Sequence, residues 1–372
     1  MRYYIIAGEA SGDLHASNLM KQILLLDEKA EFRFWGGDRM QAVGGDLVVH
    51  YKDIAFMGFI EVVKNLGTIL KNISFCKKDI EAYKPDALIL VDYPGFNLRI
   101  AEWAKPKGLK VFYYISPQIW AWKQSRVHKI NSSVDKLFAI LPFEKDFYKK
   151  FNYDIDFVGH PLLDAIDNDL VEAASVIRKR YGFGDEKIVL LLPGSRKQEI
   201  QAMLPVMLAA AKKNKGYKYV LAGVKSIPEE MYAGILGKSK VQIVSGNTYG
   251  LLSVASAAMV TSGTATLETA LFEVPEVVCY KGSKISYQIA KRLIKVKYIS
   301  LVNLILDRVA VTELIQDEMN ADRLSGELRK ILSDEVMIAK MKADYKELKT
   351  KLGGGGASRK TAEGIVNFLR HA

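Results

Sequence analysis

Short apolar runs alternate with helical patterns along almost the whole of this 372-residue chain. Apolar runs bounded by turn-forming residues are typical of buried strands in a parallel sheet. Helical patterns fill most of the gaps, for instance over residues 14–26 and 205–213. The alternation therefore predicts an α/β fold built from βαβ units. The predicted strands lie near residues 3–7, 32–35, 87–91, 111–115, 137–140, 155–158, 188–192, 219–222, 241–244, 258–261 and 277–280.

The two halves of the chain share one plan. Each opens with a strand, a glycine-containing loop and a helix, at residues 3–13 and again from residue 188. We predict two Rossmann-like, doubly wound domains that face each other across a cleft. The N-terminal domain is expected to span residues 1–163 and the C-terminal domain residues 164–352, with a polar linker-like stretch at 164–180. After a glycine-rich joint, the last segment (353–372) is expected to cross back as a helix onto the N-terminal domain.

The composition is typical of a globular protein, with 49% hydrophobic residues. No apolar run reaches the about 18–20 residues that span a bilayer, and the first residues predict a strand and not a signal peptide. Two distant cysteines, Cys76 and Cys279, indicate reduced thiols in a cytoplasmic protein without a disulfide or metal framework. The net charge of +11 favours an acidic partner. Since no nucleic-acid-binding motif is visible, phosphorylated substrates or an anionic membrane surface are the stronger candidates.

A carboxylate follows the most apolar of the predicted strands. Residues 87–91 read Ala-Leu-Ile-Leu-Val, and Asp92 comes next, ahead of the turn formers Pro94 and Gly95. Open α/β sheets bind their ligands at the carboxyl ends of their strands, so Asp92 is a candidate general base. The alternative is an Asp that caps the following helix or pairs with a nearby lysine.

Two glycine-containing loops are candidates for binding a phosphorylated ligand. The loop at residues 8–13 (GEASGD) opens a helix, where backbone N–H groups favour anions. Its spacing matches neither a Walker A loop nor a dinucleotide fingerprint. In the loop at 193–196, Arg196 adds a planar charged donor suited to bidentate phosphate contact. The alternatives are a tight turn with a helix cap for the first loop and a surface arginine for the second.

The segment at residues 261–268 (TSGTATLE) is the sharpest local signal. Small residues at a strand end expose backbone N–H groups at the start of a helix, as in a diphosphate cradle. Glu268 follows one turn later, where a carboxylate can accept hydrogen bonds from ribose hydroxyls. The alternative is a helix N-terminus with hydroxyl caps.

Three segments indicate contact with a membrane or with apolar ligands. A helical face over residues 56–73 is apolar, which suits either an interfacial helix or a helix packed on the core. Residues 281–297 carry six basic and no acidic side chains, which predicts a basic stripe or a solvated charged face. Trp120 and Trp122 follow a strand, and they suit either a wall for acyl chains and sugar rings or core packing. The candidate membrane or acyl contacts are Phe59, Val62, Val63, Leu66, Ile69 and Leu70.

These motifs together resemble the lipid-A-disaccharide synthases, which are inverting glycosyltransferases of the GT-B type. The matching segments span nearly the whole chain in family order. They are residues 8–13, 57–58, 92–97, 116–122, 141–144, 159–160, 192–196, 262–268 and 300–304.

The resemblance implies transfer of diacylglucosamine from its UDP derivative to diacylglucosamine 1-phosphate at the cytoplasmic face of the inner membrane. It implies that Asp92 deprotonates the acceptor 6-hydroxyl, and Gly95 stands where many relatives carry a second Asp. It also implies a homodimer with exchanged C-terminal elements. The catalytic candidates are Asp92, Arg196 and Ser11. The substrate-binding candidates are Gly8, Glu9, Gly12, Asn97, Trp120, Ser195, Gly263, Thr264, Ala265, Glu268 and Asn303.

We expect no cofactor and no metal, because the sequence shows no Asp-x-Asp site that would hold a divalent ion for the diphosphate and because Arg196, lysines and helix N-termini can meet its charge. Two alternatives remain open at this point. One is another GT-B enzyme that uses UDP-sugars, such as a 2-epimerase or a polyprenol-linked glycosyltransferase. The other is a non-catalytic protein that binds UDP-sugars or lipids at the membrane surface.

Overall fold

The computed structural model divides the chain into two α/β units. The first comprises Met1–Asn168 with Leu352–Ala372, and the second comprises Asp169–Lys351. The structure describes residues 1–54, 66–168, 172–283, 287 and 296–371. Among these residues, no helix combines the length and the apolar character needed to cross a bilayer.

The first unit is built on a seven-stranded parallel sheet in the order β3-β2-β1-β4-β5-β6-β7. The central strand β4 is buried along its whole length, which explains its unbroken apolar sequence. The order reverses between β1 and β4, so the carboxyl ends of these two strands form the switch point where such sheets bind ligands. The strands are β1 (Arg2–Ala7), β2 (Glu31–Gly36), β3 (Asp46–His50), β4 (Ala87–Val91), β5 (Val111–Tyr114), β6 (Lys136–Ala139) and β7 (Asp156–Phe157).

Helices follow the strands of the first unit as crossover connections. They are α1 (Ala10–Leu26), α2 (Asp38–Val43), α3 (Leu66–Tyr83), α4 (Pro94–Ala104), α5 (Ile119–Trp122), α6 (Arg126–Ser133), α7 (Glu144–Lys149) and α8 (Pro161–Asn168). Asp13 in the first turn of α1 accepts hydrogen bonds from the backbone N–H groups of Gly37 and Met40, at 2.8 and 3.1 Å. This carboxylate therefore caps α2 and ties it to α1.

The second unit repeats the plan on a six-stranded parallel sheet in the order β10-β9-β8-β11-β12-β13. Its switch point lies between β8 and β11. The strands are β8 (Ile188–Leu192), β9 (Lys218–Gly223), β10 (Gln242–Ser245), β11 (Ala255–Thr261), β12 (Glu276–Tyr280) and β13 (Thr312–Ile315). The helices are α9 (Ala174–Tyr181), α10 (Lys197–Lys213), α11 (Glu229–Leu236), α12 (Thr248–Leu252), α13 (Thr264–Leu271), α14 (Leu301–Leu306), α15 (Ala321–Ser333) and α16 (Glu335–Lys351).

The last helix, α17 (Ala357–Arg370), belongs to the first unit. Its apolar face joins the core that contains Leu19 and Ile23 of α1. Asp164 in α8 accepts hydrogen bonds from the N–H groups of Gly356 and Ser358, at 2.6 and 2.8 Å. The boundary that the sequence suggested at 163/164 cuts through α8, whereas this cap holds α8 and α17 together on the same side of the division.

Two strands were not predicted from the sequence, and both lie at sheet edges. β3 and β13 each have one neighbouring strand and mostly half-buried residues, so their sequences lack an unbroken apolar run. One helix begins earlier than predicted, since α10 starts at Lys197 and continues through Pro205. The prediction of two doubly wound parallel sheets is confirmed.

Candidate active site

The loop after β1 and the turn after β4 lie side by side at the first switch point. The two strands pair in register with Ala7 opposite Val91, so Gly8 and Asp92 leave adjacent strand ends. Asp92 and Tyr93 both adopt left-handed backbone conformations, with φ of 46° and 48°. Consecutive left-handed residues other than glycine are unusual and persist only where the surroundings hold them, which is common at functional sites.

Three hydrogen bonds hold the backbone of Asp92. Its N–H donates to the carbonyl oxygen of Tyr114 at 3.0 Å. Its carbonyl oxygen accepts from the Tyr113 hydroxyl at 2.6 Å and from the Asn97 side-chain amide at 2.8 Å. The turn is therefore anchored to the neighbouring strand β5 and to helix α4.

Asn97 was expected to contact substrate, and the structure gives it a different position. The residue is fully buried, and its Nδ2 also points at the carbonyl oxygens of Ile6 and Val91, at 3.4 and 3.3 Å. The amide nitrogen of Asn97 is therefore turned toward the protein's own backbone. Asn97 instead positions the Asp92 turn.

The two glycines of the first loop have separate roles. A Cβ at Gly8 would lie 2.4 Å from Cδ1 of Tyr93, so only glycine lets the Tyr93 ring cover this position. A Cβ at Gly12 would lie 3.3 Å from Cβ of Ala7, so Gly12 lets α1 pack closely on β1. Gly8 therefore shapes the site directly, and buried Gly12 supports it through helix packing. Ser11 lies exposed in the first turn of α1.

The pKa of the Asp92 carboxyl group is raised toward neutral pH. Burial and the negative charge of Glu9 raise its pKa to about 6, against the lowering contact from the Tyr93 N–H. Glu9 follows β1, so a second carboxylate from the adjacent strand end acts on Asp92. The N-cap residue of α4 is Tyr93, and no side chain caps that helix. Asp92 is thus not the helix cap of the alternative interpretation.

The segment after β5 begins at a residue with a strained backbone. Its two tryptophans, Trp120 and Trp122, differ in their exposure to solvent. Ile115 has φ of 66°, which is rare for a β-branched residue. Trp120 is 8% exposed and packs edge-on against Phe143, with ring centroids 4.9 Å apart. Trp122 is 48% exposed. Core packing therefore describes Trp120, which was a candidate substrate contact, while Trp122 faces solvent.

Glu144 packs beneath this segment, a role that was not predicted even though residues 141–144 are one of the family-matching segments. The residue is fully buried, and its Oε2 accepts hydrogen bonds from the N–H groups of Ile140 and Leu141, at 3.2 and 3.0 Å. Burial raises its pKa to about 7, while the Leu141 N–H, Ser116 and Trp120 act in the opposite direction. A buried carboxyl group therefore joins the end of β6 to the Trp120 segment.

In the second unit, the loop after β8 presents Arg196 to solvent. Glu199 accepts hydrogen bonds from the N–H groups of Ser195 and Arg196, at 3.1 and 3.3 Å, and so fixes the loop at the start of α10. The Arg196 guanidinium lies 3.3 Å from the Glu199 carboxylate and keeps a side chain that is 60% exposed. A charged planar donor held in this way is suited to binding an anion.

The loop after β11 lies beside the Arg196 loop, because β8 and β11 pair with Leu192 opposite Val260. Helix α13 begins at Thr264, and a Cβ at Gly263 would meet nothing within 4 Å. Thr264 is exposed and Ala265 half-buried. The first N–H groups of a helix have no partner within the helix, so this open end favours an anionic group.

Glu268 lies one turn into α13 and is half-buried. Its Oε1 accepts a hydrogen bond from the Tyr249 hydroxyl at 3.4 Å. Burial raises its pKa, and the Tyr249 contact lowers it. A carboxylate acceptor thus stands close to the open helix end.

The side chain of Asn303, another candidate substrate contact, also points into the protein. The residue is buried, and its Nδ2 donates to the carbonyl oxygen of Val311 and to the Glu313 carboxylate, both at 2.9 Å. Glu313 also accepts from the N–H groups of Ile299 and Ser300, both at 3.0 Å, and Ser262 donates to the Ile299 carbonyl oxygen at 2.9 Å. Asn303 and the unpredicted Glu313 therefore brace the 262–268 loop through residues 299–300.

The predicted residues thus gather at two switch points, one in each unit. Gly8, Glu9, Ser11 and Asp92 lie in the first, and the loops of Arg196 and Thr264 lie in the second. Phe59, Val62 and Val63, the segment 57–58 and most of the basic stretch at 281–297 lie outside the described residues, as does the side chain of Leu66. Within the described ranges, no three or more His, Cys, Asp or Glu side chains group so as to hold a metal ion.

Two doubly wound parallel sheets, each with phosphate-suited loops at its switch point, define the GT-B class of nucleotide-sugar enzymes. Solved structures agree on the fold. UDP-GlcNAc 2-epimerase from Neisseria meningitidis matches with a TM-score of 0.69 at 12% identity, covering 99% of this chain and 100% of that one. The glycotransferase of kitacinnamycin matches with a TM-score of 0.64 at 13% identity, covering 99% of both chains.

Sequence comparison identifies the family within that class. The family model for lipid-A-disaccharide synthetase matches residues 3–366. A lipid-A-disaccharide synthase from Geobacter metallireducens is 40% identical over 375 residues, covering 99% of this chain and 97% of the relative. The chain belongs to the lipid-A-disaccharide synthetase family and is a glycosyltransferase of lipid A biosynthesis. The epimerase alternative is not favoured, since the epimerase match extends to the fold alone.

Proposed function

We propose that this chain transfers diacylglucosamine from UDP-diacylglucosamine to the 6-hydroxyl of diacylglucosamine 1-phosphate. The observation that carries the proposal is the Asp92 turn, a firmly anchored stretch of backbone that bears a carboxylate whose pKa of about 6 suits a base at neutral pH. Asp92 accepts the proton of the acceptor hydroxyl. The hydroxyl oxygen forms a bond to the anomeric carbon, and the bond from that carbon to the diphosphate breaks. UDP leaves with the electron pair, and the anomeric configuration inverts from α to β.

The second unit supplies the groups that suit the departing UDP. Arg196 and the open N-terminus of α13 meet the diphosphate charge, and Glu268 accepts hydrogen bonds from the ribose hydroxyls. Asn303 and Glu313 keep the α13 loop in place without touching the ligand. By the family resemblance, the loop of Ser11 in the first unit also contributes to donor binding.

UDP release measured with and without the acceptor tests this proposal. UDP-diacylglucosamine alone is expected to stay intact, and adding diacylglucosamine 1-phosphate is expected to release UDP and yield a disaccharide. UDP that binds but is never released from the donor would support the non-catalytic alternative and contradict the proposal.

We expect full activity after treatment with EDTA. The cationic groups of the second unit can stabilise the leaving diphosphate without a divalent ion. Activity is measured after chelation and again after adding Mg²⁺ or Mn²⁺. Loss of activity on chelation that either ion restores would contradict this prediction.

Helix α3 supports a further part of the proposal, in which the enzyme works at the cytoplasmic face of the inner membrane. Ile73, Cys76 and Ile80 of this helix are buried, whereas Leu70 is 53% and Phe75 is 49% exposed. Large apolar side chains exposed on the same helix suit partial insertion among acyl chains. The resemblance further supports a homodimer, which light scattering of the full chain would test.

Replacing Leu70 and Phe75 together with Ser is expected to weaken binding to phospholipid vesicles by at least about tenfold, because two buried apolar contacts with the lipid are lost. Cosedimentation with vesicles measures the effect. Ser74→Ala, an exposed change on the same helix that leaves the charge unaltered, is the control. Equal binding by the double variant and the wild type would show that this part of α3 does not touch lipid.

A further inference from the structure

Two cations in the segment after β5 share one exposed aromatic ring. Lys123 Nζ lies 4.6 Å and Arg126 Cζ lies 5.3 Å from the ring centroid of Trp122. Cation–π contacts hold both side chains without neutralising them. Among the described residues, neither cation has a carboxylate within 4.0 Å, the limit for an ion pair. Two like charges held together without a counter-charge favour an anionic ligand.

The cations lie at the same sheet edge as the Asp92 turn. Helices α5 and α6 follow β5, which pairs directly with β4. Burial, with Asp92 adding to it, raises the pKa of Tyr113, and the Arg126 guanidinium acts in the opposite direction. Arg126 is therefore within electrostatic reach of the hydroxyl that donates to the Asp92 carbonyl oxygen at 2.6 Å.

We propose that Lys123 and Arg126 form the subsite for the phosphate of the sugar-phosphate acceptor, with Trp122 as its platform. This inference rests on the proposed function. The reacting 6-hydroxyl and the 1-phosphate are attached through C5 and C1, the two carbons that flank the ring oxygen, so a hydroxyl at Asp92 places the phosphate a short distance away on the same unit. A phosphomonoester carries about two negative charges near neutral pH, which matches two cations. Arginine supplies a bidentate fork and lysine a point charge.

The donor diphosphate is a weaker candidate for this subsite. The second unit already offers Arg196 and the α13 N-terminus for it, whereas Lys123 and Arg126 are anchored on the unit that carries the base. An anionic lipid headgroup shares the same chemistry as the acceptor phosphate. The two sources differ in one respect, since only the acceptor phosphate is part of the reacting molecule.

The test compares two acceptors, diacylglucosamine 1-phosphate and the same sugar without the phosphate. The variant is Lys123→Gln combined with Arg126→Gln. Its preference in kcat/KM for the phosphorylated acceptor is expected to fall by about 10- to 100-fold, the range for losing charge-assisted hydrogen bonds. The KM for the phosphorylated acceptor should account for most of the loss. The KM for the donor should stay the same, and Arg126→Lys should restore part of the preference.

Lys129→Gln is the matched control, because Lys129 lies on the same helix and is paired with Glu102 at 2.8 Å. Wild-type turnover with an unchanged acceptor preference in the double variant would overturn the phosphate subsite alone. Wild-type protein that uses neither acceptor would overturn the proposed function itself. Loss of binding to phosphatidylglycerol vesicles, with the phosphate preference intact, would assign the pair to the lipid surface and overturn the subsite.

Discussion

Replacing Asp92 with Asn is expected to lower kcat by about 10²- to 10⁴-fold while leaving the affinity for UDP unchanged. The range is that of general base assistance, which the amide cannot provide. UDP binding should be preserved because the groups proposed for it lie in the second unit. Asn tolerates the left-handed backbone at this position, where φ is 46°, so the turn should keep its shape. Steady-state kinetics and UDP titration measure the two quantities, and wild-type turnover in this variant would exclude Asp92 as the base.

The pH profile of kcat/KM provides an independent check on the same residue. Because the pKa of Asp92 is about 6, activity should fall as the pH drops below about 6 and the carboxylate becomes protonated. Glu9→Gln removes a neighbouring negative charge that raises this pKa, so the acid limb should move to lower pH. An acid limb that stays in place in Glu9→Gln would show that another group titrates there.

Replacing Arg196 with Gln is expected to lower kcat by about 10²- to 10³-fold, the usual cost of removing one donor to a developing negative charge. The charge on the diphosphate grows as its bond to the sugar breaks, so the loss should exceed the effect on UDP affinity. Arg196→Lys should recover part of the rate, since lysine keeps the charge and loses the bidentate geometry. Single-turnover rates compared with UDP affinities separate these effects.

Folding should not confound the Arg196 result. The ion pair between Arg196 and Glu199 is exposed and contributes little stability. Lys197→Gln, one residue further along, changes the same charge at an exposed position and serves as the control. Equal rates in Arg196→Gln and Lys197→Gln would show that Arg196 does not stabilise the leaving diphosphate.

The sequence was sufficient to predict where the sheets run and which loops leave their switch points. Unbroken apolar strands such as Ala87–Val91 and Ile188–Leu192 match their predicted bounds, because a strand buried on both faces permits only apolar residues. The edge strands β3 and β13 were not predicted, because partly exposed strands contain both polar and apolar residues. The family prediction is confirmed by the match over residues 3–366.

The directions of individual side chains could not be predicted in the same way. Asn97 and Asn303 lie in the segments that the sequence singled out, yet both amides bind the protein's own backbone. Position along the chain places a residue in a loop, whereas contacts with other strands and helices decide which way its side chain turns. The roles of Glu144 and Glu313 were not predicted for the same reason, since each side chain stabilises a loop that belongs to a neighbouring element.

The linkage of the product shows most directly whether the 6-hydroxyl of the acceptor displaces UDP. Wild-type protein is incubated with UDP-diacylglucosamine and diacylglucosamine 1-phosphate, and the disaccharide is analysed by NMR. Direct displacement by the 6-hydroxyl, with Asp92 as base, predicts a single β-1′,6-linked product formed in equal amount to UDP. An α-linked product, a linkage to another hydroxyl, or an epimerised nucleotide sugar without any disaccharide would contradict direct displacement by the 6-hydroxyl.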